Sequence, residues 1–255
     1  MLGYFLAVLI GLSLGLLGGG GSILTVPILV YALNIDAKTS IALSLAIVAV
    51  TSLIGVFGHI RNKNIDFKVA GIFTPSAMIG TFLGAKLSAY ISGQVQLIAF
   101  SIIMLIAAIF MIKNNRKDEV SAPEKVEIEN IKLKYFMIIA EGLVVGIITG
   151  LVGVGGGFLI VPALVLMTGI SMKRAIGTSL LIISLKSFSG FIGYIGIVEI
   201  PWLFLLKFTL FSGAGILVGS YLVKFISQKR LKSSFAIFLI FMGIYILYKN
   251  KDVLL

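Results

Sequence analysis

The chain has 255 residues, 59% hydrophobic and 12% charged, with a formal net charge of +11 and no cysteine. Its mean hydropathy is +1.13. The charged share is about half that of a soluble domain, which excludes an ordinary water-soluble fold, and the missing cysteines exclude disulfides and thiolate-held metals.

In chain order the first apolar run is 2–17. It lacks the basic start of a signal peptide and reads as a retained first span. Glycines 18–21 follow, then a short run at 22–33, and longer ones at 39–58, 67–91 and 95–112. The stretch "KNNRKDEVSAPEKVEIENIKLK", 113–134, is the one long polar segment and reads as a solvated linker. Beyond it the runs are 135–151, 157–169, 175–195, 201–226 and 233–249. Continuously apolar runs of about 20 residues predict helical spans, since barrel strands alternate over about ten. The runs at 22–33 and 157–169 are too short to cross comfortably: a 12-residue helix rises about 18 Å against a core of about 30 Å.

The chain is a duplication. Pro27 and Pro162 stand 135 residues apart, and the same offset pairs Gly15 with Gly150, Gly18 with Gly153, Gly20 with Gly155 and Gly21 with Gly156. Further along it pairs Ser44 with Ser179, Ser52 with Ser187, Gly80 with Gly215 and Gly84 with Gly219. The organisation expected is a first transmembrane repeat at 1–112, a linker at 113–134 and a second repeat at 135–255.

Loop charges orient the halves. With five crossings per unit, 15 Lys and Arg fall on one side and 3 on the other; with four crossings the split is 11 against 7. The positive-inside rule selects five. Homologous loops also differ in charge: 59–68 is basic, whereas its mate at 195–200 carries only Glu199. The fold class expected is an all-α polytopic membrane protein built from two inverted five-helix repeats, each with a short glycine-broken half-helix. Both termini lie outside and the linker in the cytoplasm.

Broken backbone inside a bilayer is tolerated where it lies against protein or lines a wet cavity. Two helix N-termini starting near Ser22 and Gly157 would bring free N–H groups and positive dipole ends to one central place, an arrangement suited to an anion. The candidate binding residues there are Gly19, Gly20, Gly21, Ser22, Gly155, Gly156 and Gly157. Glycines also allow close helix packing, and that is the reading for Gly80/Gly84 and Gly215/Gly219. "GVGGGF" follows no strand and precedes no Lys-Ser/Thr, so a nucleotide site is rejected.

Lys186 sits mid-span, where a cation needs a cavity and a negative partner: a substrate anion, Glu141 or a carbonyl. Its repeat mate is Thr51, so the site is expected to be symmetric in backbone but not in charge. Thr178 and Ser179 add hydroxyls, though such groups also bond their own helix carbonyls. Glu141 is the proton-coupling candidate. Lys86 and Lys207 read as interfacial, and His59 as a headgroup-level residue. No metal site, cofactor or catalytic constellation is expected. The excess positive charge flanks apolar runs, so lipid headgroups rather than nucleic acid are the expected partner. Self-association is left open.

Two paired motifs carry a family resemblance. "GLLGGGGSILTVPIL" (15–29) matches "GLVGVGGGFLIVPAL" (150–164), and "AIGTSLLIISLKSFSG" (175–190) has a weaker copy in "SIALSLAIVAVTSLIG" (40–55). Along its whole length the chain resembles the sulfite exporter TauE/SafE family of membrane permeases. The resemblance implies a secondary transporter of small sulfur-containing or organic anions, such as sulfite, sulfoacetate and other sulfonates, in a prokaryotic plasma membrane. Ala42-Leu43-Ser44 stands where the second half has Gly177-Thr178-Ser179, so the halves are expected to contribute unequally. The alternative function is a non-transporting membrane scaffold or partner subunit whose glycines serve packing only.

Overall fold

The computed structural model describes residues 2–115, 131–153, 155–168 and 170–251, and these are helical apart from short turns and one β-bridge, Ile195 to Val198. In the first half, α1 (Leu2–Leu17) ends in a 3-10 turn at Gly18–Gly21. Helix α2 (Ser22–Pro27) continues as a π-helical turn over Ile28–Ala32, followed by α3 (Ala37–Arg61), α4 (Phe67–Leu87) and α5 (Gly93–Asn115). The second half holds α6 (Ile131–Val152), α7 (Gly157–Thr168), α8 (Met172–Tyr194), α9 (Trp202–Leu222) and α10 (Gln228–Lys249). Helices α5 and α6 reach into the expected linker from both sides; residues 116–130 of it lie outside the described ones.

The offset of 135 persists in the elements: α9 begins and ends 135 residues after α4, and α10 begins 135 after α5. It persists in the caps as well. Asp36 accepts from the Lys38 and Thr39 N–H groups to start α3, and its mate Ser171 accepts from the Arg174 N–H to start α8. Such caps satisfy backbone donors that the first helical turn leaves free.

The halves interlock. Helix α1 lies along α9 and α4 along α6, an exchanged pair, while α3 meets its own mate α8 and α5 meets α10. Glycines set the two exchanged seams. A Cβ on Gly11 or Gly15 would strike α9 backbone, and one on Gly215 or Gly219 would strike α1. Gly142, Gly146 and Gly150 do the same against α4, and Gly80 and Gly84 against α6. In a bilayer, where lipid is as apolar as leucine, this close backbone approach is a main source of helix association.

The contact between α3 and α8 decides the inversion. Leu45 lies beside Gly190, Leu180 beside Gly55, and His59 beside Gly177, so one helix descends as the other rises. Repeats with an even number of crossings would set these equivalent helices parallel. Four helices among the described residues are long and apolar enough to cross a membrane, and they include α3 and α8. Leu83, Leu206 and Leu210 face outward on α4 and α9, as lipid contact requires.

Lys86 and Lys207 are exposed. His59 differs from the headgroup reading: it is 1% exposed, because the antiparallel pairing lays the end of α3 against the start of α8.

Candidate anion site at the glycine breaks

The two breaks meet. A Cβ on Gly19 would run into the Gly157 backbone, and one on Gly157 into Gly19, with the Ile183 side chain against both. Ile183 is at the middle of α8, and Val48, which packs on Gly155, is close to the middle of α3. The breaks therefore sit at mid-depth. Gly18, Gly153 and Gly156 have φ of +64°, +69° and +66°, a region glycine enters without steric cost. Gly18 packs on Ile176, and its mate Gly153 on Ile41, the mate of Ile176. Each half thus braces the other's break.

Helix α7 starts at this junction. The Gly156 carbonyl accepts from the Leu159 and Ile160 N–H groups at 3.0 and 3.1 Å, so Gly156 caps the helix with no side chain in the way. By helix geometry the first-turn N–H groups and the positive dipole end face the break. On the other side Ser22 is buried, and its hydroxyl donates to the Gly19 carbonyl instead of capping α2. Gly20 and Gly21 complete the 3-10 turn before it.

Lys186 is the ionisable side chain at this place. Its side chain is 0% exposed, and its Nζ donates to Thr149 Oγ1 at 2.8 Å. A Cβ at Gly156 would stand 2.8 Å from that Nζ, so the glycine leaves room for the amine as well as the φ angle. Among the described residues no carboxylate lies within ion-pair distance of Lys186. Glu141 is on α6, eight residues before Thr149 and so about 12 Å along the axis.

The other predicted residues divide. Ser179 is buried beside Gly18 and donates to the Ile176 carbonyl at 2.8 Å. Thr178 is engaged elsewhere: its hydroxyl accepts from the Asp66 N–H at 2.9 Å, and Gly177 packs on the Asn64 carbonyl. That end of α8 is held by the loop before α4, where Arg174 also pairs with Asp66 at 3.6 Å. Thr51 bonds Ser212 of α9, 2.7 Å between hydroxyls, and does not reach Lys186.

The model of the family described as "Sulfite exporter TauE/SafE" matches residues 4–246. The chain belongs to that family. A "Probable membrane transporter protein" of Xylella fastidiosa is 29% identical over 95% of this chain and 92% of its own length. "Probable membrane transporter protein YdhB" of Bacillus subtilis is 29% identical over 91% and 92%. A relative of the same description from Methanocaldococcus jannaschii is 29% identical over 95% and 94%. No solved structure matches. The chain is a multi-pass protein of a TauE/SafE membrane transporter family.

Three residues of this TauE/SafE chain that serve the breaks escape sequence reasoning. Thr149 holds Lys186 from another helix. Gln96 of α5 donates to the Leu151 carbonyl at 2.6 Å and to the Tyr194 hydroxyl at 3.2 Å, and Tyr194 donates to the Gly150 and Leu151 carbonyls. Together they satisfy carbonyls that the end of α6 exposes where the helix stops. A polar amide within an apolar run was the one available signal for Gln96. Around the same level, Ser52 and its mate Ser187 are buried with no hydrogen-bond partner among the described residues, as is Thr25 of α2.

Proposed function

We propose that the protein is a secondary-active permease for small sulfur-containing or organic anions of the sulfite, sulfoacetate and sulfonate type. The observation that carries this reading is Lys186: a fully buried amine beside the positive end of α7, with a hydroxyl for company and no carboxylate within ion-pair distance among the described residues. A positive helix end and an amine that becomes a cation on taking a proton, together at one low-dielectric place, call for an anion. Its charged head would sit at residues 19–22 and 155–157, with Lys186 as counter-ion and the hydroxyls of Ser179, Ser52 and Ser187 at hand. Thr51 and Thr178, bound to Ser212 and Asp66, would act by holding α3 and α8 in place. Access would alternate as the repeats, 1–112 and 135–255, move about the shared breaks.

The family resemblance and the prokaryotic relatives support a prokaryotic plasma membrane setting, and the charge asymmetry of the loops favours both termini outside and the linker 113–134 in the cytoplasm. The test is thermal stability of the purified protein in detergent against sulfite, thiosulfate, sulfoacetate, taurine, acetate and phosphate. An anion bound by the native state adds about 2.7 kcal/mol at a hundredfold excess over its Kd. A selective rise in Tm that is absent in Lys186→Ala is expected. If no anion shifts Tm and none crosses in reconstituted vesicles, the scaffold reading replaces this one.

A further inference from the structure

We propose that Lys186 is the proton carrier of the permease, so that one proton accompanies each anion on the same side chain. The inference rests on the permease reading above and assigns its coupling ion.

It starts from what surrounds the amine. Helix α8 is packed against α3, α4, α6, α7 and the glycine turn 18–21. Helix α3 carries Lys38, His59 and Arg61; α4 carries Lys68 and Lys86; α7 and the turn carry no titratable side chain. Helix α6 carries Lys132, Lys134, Tyr135 and Glu141, the nearest of them eight residues from Thr149. On α8 itself Lys173 and Arg174 are at the start, and Tyr194 is eight residues beyond Lys186 with its hydroxyl on the carbonyls of α6. Of the groups on α3, His59 is packed beside Gly177, nine residues from Lys186 and about 13 Å along the axis. The Lys186 Nζ itself donates to Thr149 Oγ1.

An unpaired ammonium at this depth costs on the order of several kcal/mol, so the empty site holds the neutral amine. An anion at the breaks removes that cost. The amine lone pair then takes a proton from hydronium on the side the anion came from, breaking its O–H bond to leave water and forming the N–H bond of an ammonium. The ammonium and anion together carry no net charge if the anion is monovalent. When the anion leaves, the N–H bond breaks, the electron pair stays on nitrogen and the proton passes to water. Thr149 suits both states. Its hydroxyl accepts from the ammonium, and a hydroxyl can turn to donate to the amine, which a carboxylate cannot do while ionised. It has that freedom because its own donor bond, to the Gly146 carbonyl, is long at 3.2 Å.

The experiment uses the full chain in proteoliposomes with a trapped pH dye, and the membrane potential held at zero by potassium and valinomycin. The probe is radiolabelled methanesulfonate, too strong an acid to cross lipid in protonated form. Methanesulfonate added outside is expected to enter and to acidify the lumen with about one proton per anion, the ratio set by one amine. Lys186→Arg, whose guanidinium keeps its proton, is expected to bind methanesulfonate and move no protons. Glu141→Gln is expected to remain coupled.

Entry of label with no acidification in the wild type overturns the inference and leaves the permease reading standing. Coupling that persists in Lys186→Arg and disappears in Glu141→Gln also overturns it, moving the carrier to α6. No entry of label at all strikes the sulfonate permease reading and this inference together.

Discussion

Lys186 and Thr51 occupy the same place in the two halves, and the structure treats them differently. Thr51 turns to α9 and finishes its bonding on Ser212; Lys186 turns to α6 and ends beside the second glycine break. The backbone around them is duplicated: Gly18 on Ile176 mirrors Gly153 on Ile41, and Gly19 touches Gly157 across the pseudo-axis. Only the amine is single. Duplication supplied a symmetric cradle of helix ends, and one difference at the buried position is enough to give that cradle a protonatable amine.

The comparison can be broken most severely at the cradle itself. Gly157→Val places a branched side chain against the Gly19 backbone and is expected to cost about 3 kcal/mol or more, read as a large fall in Tm and in folded yield. Gly19→Val should behave alike, since the contact is mutual. Removing the charge alone is a milder change: Lys186→Gln is expected to fold, and to lose the anion-induced rise of about 2.7 kcal/mol at a hundredfold excess over Kd. The swap Thr51→Lys with Lys186→Thr sharpens the point. It restores the composition of the pair but puts the ammonium by Ser212, so no anion-induced rise in Tm is expected.

Smaller effects come from the supports. Gln96→Leu withdraws a donor from the Leu151 carbonyl and is expected to lower stability by about 1–2 kcal/mol. Thr51→Val removes one hydroxyl pair between helices, with about 0.6 kcal/mol expected and anion affinity unchanged. A Thr51→Val that abolished the anion-induced shift would mean the two positions act together after all.

Much of this fold is legible in the sequence, because duplication and loop charge are one-dimensional signals. The offset of 135 fixes the starts of α9 and α10 from those of α4 and α5, and the charge count anticipates the antiparallel run of α3 and α8. The site is half legible. Glycine runs in matched positions and a mid-span lysine stand out against apolar sequence. The side chains that serve them do not, because helices that are apolar all round, towards protein and lipid alike, show no polar face from which a direction can be read. Thr178 and Ser179 are adjacent, yet the Asp66 N–H takes the first while the second lies by Gly18. Thr149 looks like any hydroxyl that bonds its own helix, and it reaches Lys186 only because α6 and α8 are brought together by the opposite half.

The exchanged seams also bear on how the chain is made. Helix α1 ends at Leu17, and the α9 surface that covers its glycines begins at Trp202. At about 5–20 residues per second, translation brings α9 out roughly ten to forty seconds after α1. Through that interval the first span sits in the lipid with its small-residue stripe uncovered. The first half leaves the ribosome unable to close its own break, and native assembly waits on the second.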